Sequence, residues 1–289
     1  MHDTHAAQDQ PLLPTPIASV DNAVVKRIRA LQRDGASYKK LGELWLEGDH
    51  LCRSAHHKGF APSVFTWSEA AWQRCTQAAA RDAHAAATLR CAQAAKHQVM
   101  LSDKLWAELT GLESPVGMGA LFGLPVSGAQ DVQPHAASVV LDRVQDPGNL
   151  GSIIRSAAAM GFAQVLALKG TVAMWSPKVV RAGMGAHFAL TLVEGLDSAD
   201  LAALSAPMLV TSSHQGEWLH HLQSQSKLPW PCAWVLGHEG QGVSPGIEAM
   251  ASQQVRIVQP GGEESLNVAA AAAVCLHASA ASHTVHGGG

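Results

Sequence analysis

The sequence predicts an α/β protein: a C-terminal, mostly parallel sheet with helices on both faces, preceded by a smaller α/β domain. Three observations carry that prediction. Short apolar runs alternate with helical stretches along most of the chain. A polar segment with Gly128 and Pro134 interrupts the pattern near residues 127–136, as a linker does. After it, three polar blocks each follow an apolar run, and in an open α/β sheet such loops gather at the carboxyl edges of the strands, where they share one pocket.

Composition sets the frame. At 289 residues, with 47% hydrophobic and 15% charged residues, the chain is long enough for two domains, each with its own core. No apolar stretch approaches the ~20 residues of a membrane span, and the polar, proline-rich start, Met1 to Pro16, has no signal-peptide core. The expectation is a cytoplasmic protein with no membrane partner. Its five cysteines (Cys52, Cys75, Cys91, Cys232, Cys275) stand singly with no Cys-x-x-Cys pair, which suits reduced structural thiols. The sixteen histidines include His56-His57, His214 with His220 and His221, and His283 with His286, but none joins a Cys or carboxylate at zinc-ligand spacing, so no metal is expected.

In chain order, residues 1–18 read as a disordered tail and 19–126 as the first domain. Between residues 20 and 40 six basic residues stand against two acids, within a chain of net charge −3. Over 22–33, Val24, Ile28 and Leu31 fall on one helical face, while Lys26, Arg29 and Arg33 form a basic stripe on another. That stripe is either a solvated helix face or a contact for phosphates. Strand-like pieces follow at Glu43 to Glu47, Ser63 to Trp67 and Val116 to Leu124, and the alanine-rich run from Glu69 to about His97 reads as one long helix.

Residues 137–282 form the second domain, and 283–289 a flexible tail. Strands are expected at Ser138 to Leu141, Gln164 to Leu168, Phe188 to Val193, Met208 to Thr211, Ala233 to Leu236 and Val255 to Val258. Helices are expected at Ile153 to Met160, Pro177 to Met184 and Leu266 to Ala280. Asp146-Pro147-Gly148-Asn149 is a turn, with Asn149 placed to cap the helix that runs to Gly161. Arg155 lies on that helix and leans toward its N-terminus, over the Asn149 loop, or else serves an ordinary ion pair. The block Gly237-His238-Glu239-Gly240-Gln241-Gly242 allows close backbone approach to a ligand, yet is neither a dinucleotide fingerprint nor a phosphate loop. Glu239, Glu263 and Glu264 would stand near that ligand, and two unit charges 4 Å apart interact by ~4 kcal/mol at an effective dielectric of 20. Three carboxylates repel a pyrophosphate and favour a cation, such as the sulfonium of S-adenosylmethionine.

The segments 141–155 (Leu-Asp-Arg-Val-Gln-Asp-Pro-Gly-Asn-Leu-Gly-Ser-Ile-Ile-Arg), 176–185 (Ser-Pro-Lys-Val-Val-Arg-Ala-Gly-Met-Gly), 235–244 (Val-Leu-Gly-His-Glu-Gly-Gln-Gly-Val-Ser) and 264–269 (Glu-Ser-Leu-Asn-Val-Ala) together resemble the signature blocks of the SpoU (TrmH) family of RNA ribose 2′-O-methyltransferases, of the SPOUT superfamily. The likeness spans about 137–280, and the N-terminal part, with Ser19, Asn22 and Trp45 to Gly48, is similar to the family's ribosomal-protein-like substrate-binding domain. What the resemblance implies is a deep trefoil knot in the C-terminal segment, a homodimer with the site near the subunit interface, and S-adenosylmethionine as cofactor. By position, Gly237, Ile257 and Leu266 would hold the adenosine, with Gly240 and Gln259 close by. Arg155 would act on the ribose 2′-hydroxyl, as a base assisted by a substrate phosphate or as an electrostatic stabiliser of the alkoxide. Asn149 and Glu239 would fix the loop around it, Ser265 and Asn267 would shape the pocket, and Lys26, Arg29 and Arg33 would bind RNA. The run Ile257-Val258-Gln259-Pro260 departs from the family's usual Ile-Pro-Met, displacing the proline and placing a polar side chain beside the adenine. Ribosomal RNA is the expected substrate, because the chain has the extra N-terminal domain and lacks basic terminal extensions. Alternatives are a tRNA methyltransferase and a catalytically silent RNA-binding or ribosome-assembly factor. A doubly wound oxidoreductase would need Gly-x-Gly-x-x-Gly where Asp146 to Gly151 stands.

Overall fold

The computed structural model describes residues 13–212, 215–261 and 266–286, in two compact units, Met1–Leu124 and Pro125–Gly289. Residues 127–136, expected as a free linker, belong to the second unit. Gln133 N donates to Gln164 Oε1 at 2.9 Å, Pro134 O accepts from Ser205 N and Ala206 N, and Val132 is buried in that unit's core. Side-chain burial, which composition does not report, decides the boundary.

The first unit runs β1 (Thr15–Ile17), α1 (Ala23–Arg33), α2 (Ser37–Leu41), β2 (Glu43–Glu47), α3 (Asp49–His57), β3 (Pro62–Ser68), α4 (Glu69–Ala78), α5 (Ala83–Gln93), β4 (His97–Leu101), α6 (Asp103–Leu109) and β5 (Met118–Gly123). Its sheet has the order β1-β4-β3-β5-β2, parallel through the first three strands and antiparallel beyond. Two expectations need correction here. The tail assigned to 1–18 includes strand β1, which pairs with β4 at the sheet edge, where a proline such as Pro16 is tolerated; residues 1–12 lie outside the described residues. The single alanine-rich helix is two helices and a strand. The chain leaves α4 after Ala78, and the Asp82 carboxylate caps α5 by accepting from His84 N at 2.7 Å. Val99 and Leu101 then alternate into the core as β4. On α1 the apolar face is Val25, Ile28 and Leu31, with Val24 half-buried beside the Asn22 cap.

The second unit runs β6 (Ser138–Leu141), α7 (Pro147–Ala159), β7 (Gln164–Leu168), α8 (Pro177–Gly183), β8 (Thr191–Leu196), β9 (Met208–Thr211), β10 (Glu217–Trp218), α9 (Leu219–Ser224), β11 (Ala233–Leu236), α10 (Pro245–Glu248), β12 (Gln253–Arg256) and α11 (Val268–His286). Seven strands in the order β10-β12-β9-β11-β6-β7-β8 pair in parallel throughout. β8 and β12 are shifted from their expected positions. Phe188 sits in a 3₁₀ turn entered through Gly185 at φ 84°, and β12 begins two residues before Val255. From β6 the chain steps outward through β7 and β8, then crosses to β9, and β11 later fills the gap between β9 and β6. Such a reversal of strand order opens a crevice at the carboxyl edges.

Two close contacts set the helices. α7 and α8 touch at glycine: a Cβ on Gly151 would lie 2.4 Å from Ala182 Cβ and 2.8 Å from Val179 O. α11 packs against α7 and β11, and its buried Ser279 hydroxyl accepts from Trp234 Nε1 at 2.9 Å. α11 continues past residue 282, where a flexible tail was expected, because Trp230 stacks on His283 at 4.9 Å. The five cysteines are free and buried; burial pushes Cys75 and Cys232 to about 11. Among the described residues no helix is long and apolar enough to cross a membrane.

Candidate active site

Three neighbouring strands, β12, β9 and β11, deliver the segments that follow them to one place. A cleft of about 510 Å³ is lined by Thr211 and Ser212 after β9, residues 237–243 after β11, Ile257 and Gln259 after β12, and Leu266 to Val268 at the start of α11. That volume suits a small-molecule ligand. The loop after β11 closes tightly, with His238 N donating to Gly242 O at 3.0 Å and Gly242 N to His238 O at 2.8 Å. A Cβ on Gly237 would stand 2.1 Å from the Gly242 carbonyl carbon, so the turn requires glycine there.

At one end of the cleft the expected residues form a chain of hydrogen bonds. Glu239 accepts from Gln145 N at 3.1 Å, Asp146 N at 3.0 Å and Asn149 Nδ2 at 3.1 Å. Partial burial opposes its charge, but bonds from the Asp146 and Gln145 backbone and the Asn149 amide outweigh it and hold the carboxyl below its ordinary range. A carboxylate only accepts, so it fixes which end of the Asn149 amide faces it. Asn149 Oδ1 then accepts from Asn267 Nδ2 at 2.9 Å. Asn267 Oδ1 in turn accepts from Ala269 N at 2.9 Å and Ala270 N at 3.2 Å, capping α11. One carboxylate thus orients two amides and ties the first turn of α7 to the first turn of α11.

Two features depart from expectation. The cap of α7 is Asp146, which accepts from Asn149 N at 2.7 Å, so Asn149 lies inside the first turn and its side chain is released for the network. Glu239 does not offer a free charge to the cleft, because its oxygens are engaged with the start of α7. Glu263, Glu264 and the candidate Ser265 lie outside the described residues, as does His214. Arg155 is exposed on α7 and does not line the cleft; none of the described residues pairs with it. In the first unit, Lys26 is exposed and pairs with Asp21 at 3.0 Å, Arg29 is half-buried and Arg33 exposed.

Sequence reasoning passed over Asp142 and Arg143. Burial opposes the charge on Asp142, yet the Arg143 guanidinium and the Ser244 N–H outweigh it and hold the carboxyl low. Arg143, at φ 62°, also donates from Nη1 to Gln241 Oε1 at 2.9 Å, so this pair locks the loop after β6 to the loop after β11. An adjacent Asp-Arg at the end of a strand, facing a second polar loop, was the available signal.

Gln259 is the test of what the cleft accepts. Its Oε1 is buried with no hydrogen-bond partner among the described residues, in a cleft whose lining also includes the apolar side chains of Ile257, Leu266 and Val268. Apolar side chains beside an acceptor unpaired among the described residues fit a flat heteroaromatic ring bearing an amino group, as adenine does.

Comparison with known proteins identifies the family. The model of the SpoU rRNA Methylase family matches residues 136–277. An uncharacterized tRNA/rRNA methyltransferase of Synechocystis sp. is 32% identical over 270 residues, covering 90% of this chain and 92% of its own. The 23S rRNA (guanosine(2553)-2′-O)-methyltransferase RlmP of Bacillus subtilis is 31% identical over 182 residues, 62% of this chain and 70% of its own. The crystal structure of an AdoMet-bound rRNA methyltransferase from Sinorhizobium meliloti shares the fold, with a TM-score of 0.75, 24% identity, and coverage of 94% of this chain and 98% of that one. With a matching family model and a relative aligned along nearly its whole length, the chain belongs to the SpoU rRNA methylase family.

Proposed function

We propose that this protein methylates a ribose 2′-hydroxyl of ribosomal RNA, with S-adenosylmethionine as methyl donor. The observation that carries the reading is the hydrogen-bonded chain Glu239–Asn149–Asn267 at the end of a cleft whose wall holds the orphaned Gln259 oxygen. Gln259 Oε1 would accept from the adenine amino group, Ile257 and Leu266 would cover the ring, and Gly237 and Gly240 would let backbone approach the ligand. When bound, the cofactor supplies a methyl group on a positively charged sulfur. The Glu239 network fixes the two helix starts between which the substrate oxygen must be placed, and such positioning is most of the remaining task in an in-line displacement. Arg155, having no partner among the described residues, is available to stabilise the charge that develops on the ribose oxygen or to hold an adjoining phosphate. Because it lies outside its own cleft, the reading includes the homodimer, for which Met184 and Val274 are apolar side chains left exposed. It also includes a trefoil knot formed by the C-terminal segment that carries Ile257, Leu266 and α11.

A second substrate, tRNA, is suggested by the Synechocystis relative, a tRNA/rRNA methyltransferase. The test is transfer of labelled methyl from S-adenosylmethionine to separated ribosomal and transfer RNA, by wild type and Arg155→Ala. Ribose-methylated ribosomal RNA that disappears in the variant, with cofactor affinity kept, is the expected result. Label in tRNA alone moves the substrate, and cofactor binding without any label favours a silent RNA-binding factor.

A further inference from the structure

We propose that Asp142 and Arg143 are positioning residues: together they clasp the cleft-lining loop after β11 and so set how long S-adenosylmethionine stays bound. The inference rests on the reading in which that cofactor fills the cleft. The loop has little of its own to hold it in place. Glu239 to Gly242 are exposed, and the two backbone bonds between His238 and Gly242 close the turn without fixing where it lies. Its side-chain anchors come from one short segment after β6. Glu239 accepts from Gln145 N, Asp146 N and Asn149 Nδ2, Gln241 Oε1 accepts from Arg143 Nη1 at 2.9 Å, and Ser244 N donates to Asp142 Oδ2 at 2.5 Å. Asp142 N also donates to Leu236 O at 2.8 Å, so these bonds carry the pairing of β6 with β11 past the edge of the sheet.

Arg143 is held in a strained conformation to make its contact. Its φ of 62° lies in the left-handed region, which glycine enters freely and other side chains do not. Three hydrogen bonds keep it there. Arg143 N donates to Thr171 Oγ1 at 3.1 Å, that hydroxyl donates to Leu141 O at 3.2 Å, and Gln145 Nε2 donates to Arg143 O at 2.9 Å. A Cβ on Gly170 would stand 3.1 Å from Arg143 Cγ, so the loop after β7 leaves room for the side chain. Glycine would serve a turn of this shape; what arginine adds is a bridge. Its Nε and Nη2 donate to the buried Asp142 carboxylate at 2.9 and 3.4 Å, while Nη1 reaches Gln241. The planar fork serves both partners at once, which the single ammonium of a lysine does not. Strain of this kind is kept where the surrounding structure uses it. Arg143 does not line the cleft, so it acts through Gln241, which does.

The test uses the full chain and follows release of labelled S-adenosylmethionine into excess unlabelled cofactor, with a thermal melt and steady-state methylation of ribosomal RNA alongside. Arg143→Lys keeps a charge beside Asp142 and gives up the bridge, whereas Gln241→Ala leaves the ion pair and removes the acceptor. Each should release cofactor about fivefold faster, because losing one such bond falls mainly on dissociation, with the KM for S-adenosylmethionine raised in step and kcat not lowered. Combined, the two should release it no faster than either alone, since both break the same bond. Gln241→Glu retains an acceptor for Arg143 and should release cofactor no faster than wild type. Should Arg143→Lys fail to fold, the contrast between the two Gln241 variants decides. Wild-type release in a folded Arg143→Lys, effects that add in the double variant, or release from Gln241→Glu as fast as from Gln241→Ala each overturn the clasp and leave the proposed function standing. A wild type that binds no S-adenosylmethionine overturns both.

Discussion

The Glu239 network makes a prediction about direction as well as strength. In Glu239→Gln the new side chain has one acceptor where three donors converge, from Gln145 N, Asp146 N and Asn149 Nδ2. Its amide nitrogen would face another donor unless Asn149 turned over. Turning Asn149 sets its Nδ2 against Asn267 Nδ2, and turning Asn267 as well removes the cap from Ala269 N and Ala270 N. Either way one or two bonds are lost. Bonds to charged groups contribute ~1.5–3 kcal/mol each, and an N-cap ~1 kcal/mol; exposure of Glu239 puts the expected loss near the lower end, about 1–2 kcal/mol. Because Asn267 follows Leu266 in the cleft wall, cofactor affinity should fall about three- to tenfold. The informative experiment adds Asn267→Asp. The carboxylate introduced at position 267 accepts from a turned Asn149 amide and caps α11 with its other oxygen, while Asn149 Oδ1 accepts from the amide introduced at position 239. The network then runs with reversed polarity, and both asparagine-side donors are matched again. Urea unfolding and calorimetric titration with S-adenosylmethionine on wild type, both single variants and the double variant form a complete cycle. A favourable coupling of about 1 kcal/mol is expected, and a double variant no better than the sum of its parts refutes the assigned amide orientations.

Three other outcomes are expected. His187 is buried, donates from Nε2 to Met174 O at 3.0 Å, and is pushed down to about 4 by burial; it therefore stays neutral in the folded protein at a pH where the unfolded chain binds a proton. Stability should be full above pH ~6.5 and fall by about 3 kcal/mol as pH drops toward 4, a dependence that His187→Gln removes in urea titrations; equal pH slopes in both proteins would count against it. Gly151→Ala should lower the melting temperature, since the clash with Ala182 and the α8 backbone costs ~1–3 kcal/mol against a gain of ~1 kcal/mol in helix propensity, and a raised melting temperature would mean that α8 yields. Gln259→Leu should stabilise the ligand-free protein by about 1–3 kcal/mol by removing a buried acceptor that has no partner among the described residues, while weakening S-adenosylmethionine binding; tighter binding would show that Oε1 does not meet the adenine.

Much of the second unit could be read from sequence, because strands buried on both faces, such as Val139 to Leu141 and Ala233 to Leu236, appear as unbroken apolar runs whose loops share an edge. Asn149, Glu239 and Asn267 stood out as polar residues directly after such runs. What could not be read was their mutual order. Asp146 and Asn149 are both good caps, and which one ends the turn depends on Glu239, ninety residues away along the chain. In the first unit Pro16 of β1 and the alanines before His97 hid strands whose pairing supplies what local propensity does not.

The late entry of β11 into the sheet has a consequence for how the protein is made. Ser138 pairs with Ala233, and the gap that β11 fills stays open until everything between them has been synthesised. Parallel pairing across so long a separation is slow, since the entropy of closing the intervening chain is lost before the contacts form. During that interval the apolar edges of β6 and β9 face solvent, ready to accept the wrong strand. Nascent chains halted before Ala233 should therefore be the species that chaperones hold, and release should follow when Trp234 reaches Ser279.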